Sequence, residues 1–177
     1  MNTEYATETP RLSHVGPSAV RDHFREVLSH FGSGVVVITA VDRGGAPVGL
    51  TVGSFASISI EPPLVGFFVG HASATLPHVI AARSFCVNVL AEEQHLVAKS
   101  FARSGTDKFA GVDWNAGRKG IPLLTGAHAH IECTLYEHRA IGDHDLVVGH
   151  VDALTSLTDT APLIFHKSTF RQLRDHQ

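Results

Sequence analysis

The sequence is poor in several features that would announce a function directly. Among its 177 residues are two cysteines, one tryptophan and one methionine. Two cysteines cannot build a disulfide framework. Cys86 and Cys133 each sit in an apolar strand pattern and read as buried thiols in a reducing compartment. No apolar run reaches the ~18 residues of a membrane span. The polar opening stretch does not fit a signal peptide, so a soluble cytoplasmic protein is expected. Positive charge is not in excess: 14 Lys and Arg face 17 Asp and Glu, for a net charge of −3, which argues against nucleic acid as a partner. There is no Gly-x-Gly-x-x-Gly after a strand pattern, no P-loop and no Ser-His-Asp constellation. A Rossmann nucleotide fold and those catalytic classes are therefore not expected.

Histidine is what the chain has in surplus. Its 13 histidines should move the protein's charge between about pH 5 and 8. His128 and His130 share a strand face, and His138, His144 and His150 are spaced along a hairpin. No Cys-x-x-Cys, His-Glu-x-x-His or carboxylate set accompanies them, so no metal site is expected.

The pattern along the chain is mainly β. Residues 1–16 lack a period and read as a flexible tail, and 17–177 read as one domain. A helix starts near Pro17, with Ser18 as N-cap. It carries Val20, Phe24, Val27, Leu28 and Phe31 on one face and stops at Gly32. Strands are expected over 35–41 and 47–53, around the Asp42-Arg43-Gly44-Gly45 turn, then over 54–60, 64–69 and 85–90. Short helices are expected at 75–83 and 92–103, followed by a long connection over 104–126. Strand 127–136 alternates: Ala127, Ala129, Ile131, Cys133 and Leu135 point one way; His128, His130, Glu132, Thr134 and Tyr136 point the other. A strand over 145–157 and a short one at Pro162–Phe165 complete the pattern. Many antiparallel strands with few helices favour a barrel over a doubly wound sheet.

The most informative stretch is Thr51-Val52-Gly53-Ser54-Phe55, a Gly/Ser bend between two strands, with Ser57 just beyond it. Such a bend can be a plain barrel corner. It also presents backbone donors with little side-chain bulk to a flat ligand. Ser73-Ala74-Thr75 precedes a helix, where an ordinary cap and an anion site are both open readings. Phe101, Arg103, Lys108 and Phe109 gather two cations and two aromatics around a loop, and Gly142-Asp143-His144 forms a turn.

On these segments the chain resembles the flavin reductase family over about residues 20–172. The resemblance implies a split β-barrel of Greek-key antiparallel type with a few helices, usually a homodimer. It implies NAD(P)H:flavin oxidoreductase activity on FAD or FMN, with reduced flavin released to a partner monooxygenase. Cofactor contacts are then expected from Thr51, Val52, Gly53, Ser54, Phe55, Ser57, Ser73, Thr75, Asn88, Phe101, Arg103, Lys108 and Phe109. Gly142, Asp143, His144, Phe165 and His166 are expected beside the nicotinamide of NADH or NADPH, with His144 as the catalytic candidate. Two other readings remain open at this point. One is a split-barrel enzyme that retains its flavin for another redox reaction. The other is a non-enzymatic barrel that binds flavin, or haem through an axial histidine.

Overall fold

The computed structural model describes residues 16–157 and 159–173. The expected tail therefore lies outside the described residues, apart from Gly16. Helix α1 (Pro17–Ser29) is followed by β1 (Ser33–Gly34), β2 (Val36–Val41), β3 (Pro47–Val52), β4 (Ala56–Ser59) and β5 (Leu64–Gly70). Then come α2 (Leu76–Ala82), β6 (Ser84–Val89), α3 (His95–Ala102), β7 (Trp114–Ala116) and β8 (Pro122–Leu124). The chain continues through β9 (Ala129–Ile141), β10 (His144–Ser156), β11 (Ile164–His166) and β12 (Thr169–Arg171).

Seven strands form one antiparallel sheet in the order β3-β2-β6-β9-β10-β5-β4. Its two edge strands, β3 and β4, are consecutive in the chain, so the segment between them spans the seam. Leu50 and Val52 of β3 pack in the same buried cluster as Val65, Phe67 and Val69 of β5. Both ends of the sheet thus face one interior, as they must in a sheet curled into a split barrel. This is the expected fold. At the seam the Ser54 hydroxyl accepts from Phe68 N at 2.9 Å and donates to Phe68 O at 3.0 Å. It takes the place of a backbone ladder partner where β3 and β4 part.

The β2–β3 turn is closed by Asp42, whose Oδ1 accepts from Gly44 N and Ala46 N at 2.8 and 2.9 Å. Gly142, at φ +63°, turns the β9–β10 hairpin. Helix α3 lies tight on β3 because Gly49 has no side chain. A Cβ there would sit 2.6 Å from the Phe101 ring and 2.9 Å from the carbonyl of Ile38. Phe67 and Phe85 meet edge to face in the barrel interior, 5.5 Å between centroids.

Several expectations need correction. The N-cap of α1 is Gly16, with Pro17 in the first turn, so Ser18 lies inside the helix. The apolar face of α1 exists, but Phe24, Val27, Leu28 and Phe31 are 52–80% exposed rather than packed on this chain. The connection over 104–126 carries the two-stranded sheet of β7 and β8. His130, placed on the polar face by alternation, is buried, and its Nε2 lies 3.0 Å from Leu124 O. Both faces of β9 are covered near its start, so alternation there does not separate core from solvent.

Both cysteines are free and buried. Burial pushes the Cys133 thiol up to about 12 and the Cys86 thiol higher still, so both stay protonated near neutrality. None of the helices among the described residues is long and apolar enough to cross a membrane.

Candidate functional site

A cleft of about 300 Å³ opens at the barrel seam. One wall is the end of β3 and the bend, Leu50 to Gly53; another is the end of β5, Phe68 to Gly70. Ser73, Ala74 and Thr75 close it from the start of α2, and Phe101, Ala102, Ser104 and Lys108 from the end of α3 and its loop. These segments meet because the seam brings β3 and β5 together and because α3 packs on Gly49.

The expected residues divide clearly. Thr51, Val52, Gly53, Ser73, Thr75, Phe101 and Lys108 all line the cleft. Thr51 spends its hydroxyl hydrogen on Ala98 O at 2.7 Å, which ties β3 to α3. Lys108 Nζ donates to Gly49 O at 2.9 Å and to Thr75 Oγ1 at 3.2 Å. An ammonium has three N–H donors, so one is left for a ligand. Partial burial pulls the Lys108 pKa below the ordinary lysine value.

Other expected residues stand elsewhere. Asn88 is fully buried and leaves the set. Its amide donates to Val37 O and Thr39 Oγ1, and its oxygen accepts from Leu124 N. Ser54 uses its hydroxyl on Phe68 across the seam, and Phe55 packs against the core. Ser57 is exposed on the edge strand β4, away from the cleft walls. Arg103 is exposed between two lining residues and is not itself part of the lining. Phe109 meets Phe101 edge to face at 4.9 Å and faces an adjoining cavity.

The two groups expected at the nicotinamide are not in contact with each other. His144 reaches the cleft across Gly70, where an added Cβ would lie 3.6 Å from His144 Nε2. Its Nδ1 lies 2.6 Å from Asp143 Oδ1. The hydrogen bond from His144 holds the Asp143 carboxyl below its usual range. Phe165 approaches from the far side of the bend, in a largely apolar cavity of about 600 Å³ that it shares with Gly53, Ser54, Phe24, Leu28 and Phe31. His166, the next residue of β11, is not among the residues lining either cavity. Phe68 and Gly70 were missed because the strand over 64–69 reads as uniformly apolar. The pleat buries Phe67 completely and leaves Phe68 43% exposed.

The match to known proteins decides what this cleft belongs to. The family model described as a flavin reductase like domain matches residues 28–174. The chain belongs to the flavin reductase family. It is 42% identical to the reductase subunit of a flavin-dependent monooxygenase from Rhodococcus jostii, over 83% of this chain and 75% of that one. It is 35% identical to an NADH:riboflavin 5'-phosphate oxidoreductase from Streptomyces pristinaespiralis, over 92% of both chains. A solved NADH:FAD oxidoreductase from Streptomyces globisporus, in complex with NAD and FAD fragments, superposes with a TM-score of 0.83 at 35% identity, covering 90% of this chain and 96% of that one. As a flavin reductase the chain is an oxidoreductase, and the expected family and enzyme class both stand.

Proposed function

We propose that this flavin reductase uses NADH or NADPH to reduce FAD or FMN in the seam cleft, and that the reduced flavin leaves to serve a partner monooxygenase. The observation that carries the reading is the cleft itself: small residues at Gly53 and Gly70 flank it, and the Lys108 ammonium stands at its inner end. The glycines leave room for a flat ring, and the ammonium suits a phosphate. When bound, flavin supplies the acceptor for a hydride from nicotinamide. The chain's own residues then have positioning work. Thr51, Gly53 and Phe68 hold the ring, Lys108 with Ser73 and Thr75 holds phosphate, and His144 orients nicotinamide at the Gly70 edge. The test is NADH and NADPH oxidation with each free flavin. Consumption that depends on added flavin supports the reading; background consumption at saturating flavin, or a Soret band on the purified protein, overturns it.

The same reading takes the protein as a cytoplasmic homodimer. The exposed Phe24, Val27, Leu28 and Phe31 face of α1, next to the bend, is the surface a second copy would cover. Light scattering should return a dimer mass, and Phe31→Asp should shift it toward monomer.

Two variants probe the cleft. At Gly53 a Cβ would meet only the Ser33 hydroxyl, at 3.1 Å, so Gly53→Leu should leave the melting temperature nearly unchanged. Its branches intrude where the ring lies, and flavin should bind roughly tenfold more weakly by fluorescence titration. Equal losses of stability and affinity would make the bend purely structural.

Lys108 gives a pH signature. Its pKa is depressed, so the ammonium is lost as pH rises, earlier than for an ordinary lysine. Affinity for phosphorylated flavin should fall with rising pH between about 7 and 10. Lys108→Arg, permanently charged, should flatten that fall, and Lys108→Met should bind weakly throughout. Identical pH profiles for wild type and Lys108→Arg would remove Lys108 from the phosphate site.

A further inference from the structure

Beyond the seam cleft lies a second cavity of about 290 Å³ that shares Ala74, Thr75 and Lys108 with it. Three common wall residues make the two cavities one bent groove. Lys108 is at the bend, fixed there by Gly49 O and Thr75 Oγ1. The inner chamber holds the seam end, with Gly53 and Gly70. The outer one is walled by Val48 and Phe109 on its apolar side and by His78, Thr106 and Asp107 on its polar side.

From this geometry we infer that the groove is built for the dinucleotide form of the flavin, so that the enzyme selects FAD over FMN. The inference rests on the inner chamber being the flavin site. Each chamber alone is at the lower end of the roughly 300–1,000 Å³ usual for small-molecule sites; the joined groove reaches well into that range. A mononucleotide ends at its phosphate, which Lys108 receives at the junction, and leaves the outer chamber to water. A dinucleotide continues past the same ammonium. Its pyrophosphate gives Lys108 two phosphates to bridge rather than one, and its adenosine enters a chamber of suitable character. Val48 and Phe109 offer an apolar wall to a purine. Asp107 already accepts from Phe109 N at 3.0 Å, which fixes its carboxylate where ribose hydroxyls can donate to the other lone pairs. The selectivity thus sits in the outer wall, and Val48 is its specificity-determining position, with no part in the hydride transfer.

The experiment is fluorescence or calorimetric titration of the full chain with FAD, FMN and riboflavin separately. Wild type should bind FAD roughly tenfold or more tightly than FMN, and FMN more tightly than riboflavin. Val48→Trp, filling the outer chamber, should bring the FAD constant to the FMN value. FMN binding equal to or tighter than FAD in wild type overturns the inference, whatever the variant does. So does a folded Val48→Trp that weakens FAD and FMN equally. Val48 also packs on the core, so the variant is read only with an unchanged melting curve, and the wild-type ratio stands as the independent measurement. Failure of the underlying site looks different: no flavin of any kind then binds to wild type.

Discussion

Replacing Asn88 with alanine should cost this protein most of its stability, although the residue lies on no cleft. Its side chain is fully buried at the middle of β6. There it donates to Val37 O at 3.0 Å and Thr39 Oγ1 at 2.9 Å, and accepts from Leu124 N at 2.8 Å. Thr39 in turn donates to Pro122 O at 2.5 Å, so one amide ties β2, β6 and β8 together. Truncation strands a backbone carbonyl and a backbone N–H in a dry interior. Each unpaired buried group costs about 1–3 kcal/mol, and the sum should be roughly 3–6 kcal/mol. Against the 5–15 kcal/mol of an ordinary domain, that is a large share. Urea unfolding should show the midpoint falling steeply at unchanged slope. Asn88→Asp should fare nearly as badly, since a carboxylate keeps the acceptor but loses both donors. If Asn88→Ala unfolds like wild type yet binds flavin poorly, the residue belongs to the site after all.

Asn88 also illustrates where reading the chain alone stops. A polar residue in the apolar strand Phe85–Leu90 is either a ligand group or a satisfied core amide. Only the partners on β2 and on the segment before β9 distinguish them. The strands with long periods, β2, β3, β5, β6, β9 and β10, were legible because hydrophobic alternation or continuous burial extends over at least six residues. The three-residue strands β7 and β8 were not, since a period of two cannot be seen in so short a run. For α1 the apolar stripe identified the helix but not its cover. Periodicity reports that a face wants burial, and it does not name the surface that buries it. The cleft was legible in half. Gly53 and Lys108 announce themselves by residue type, whereas Phe68 and Gly70 join only through the register across the seam. Ser54 shows the reverse: its hydroxyl suits a ligand on paper, and the fold uses it to close the barrel.

His144→Ala should slow hydride transfer or raise the KM for NADH, by about tenfold to a hundredfold, while flavin affinity stays near wild type. Loss of one orienting hydrogen bond, on the order of 1–3 kcal/mol, gives that range. The geometry sets the sign and the selectivity of the effect. The Asp143 carboxyl is held below its usual range, so it is ionised near neutrality and can only accept. His144 Nδ1, 2.6 Å away, must therefore carry the proton. Nε2 is then the atom presented at Gly70, on the cleft edge away from Lys108. A neutral ring there accepts a hydrogen bond from the nicotinamide carboxamide, which has two N–H groups to give. Asp143→Asn should reproduce part of the loss, because an amide can hydrogen-bond either tautomer and no longer fixes Nε2 as acceptor. Stopped-flow flavin reduction across a range of NADH concentrations separates the rate from the binding of donor. Matching rate and NADH dependence in wild type and variant would reduce His144 to a turn residue. Near-complete inactivation would exceed what positioning can supply and would assign the ring a chemical role.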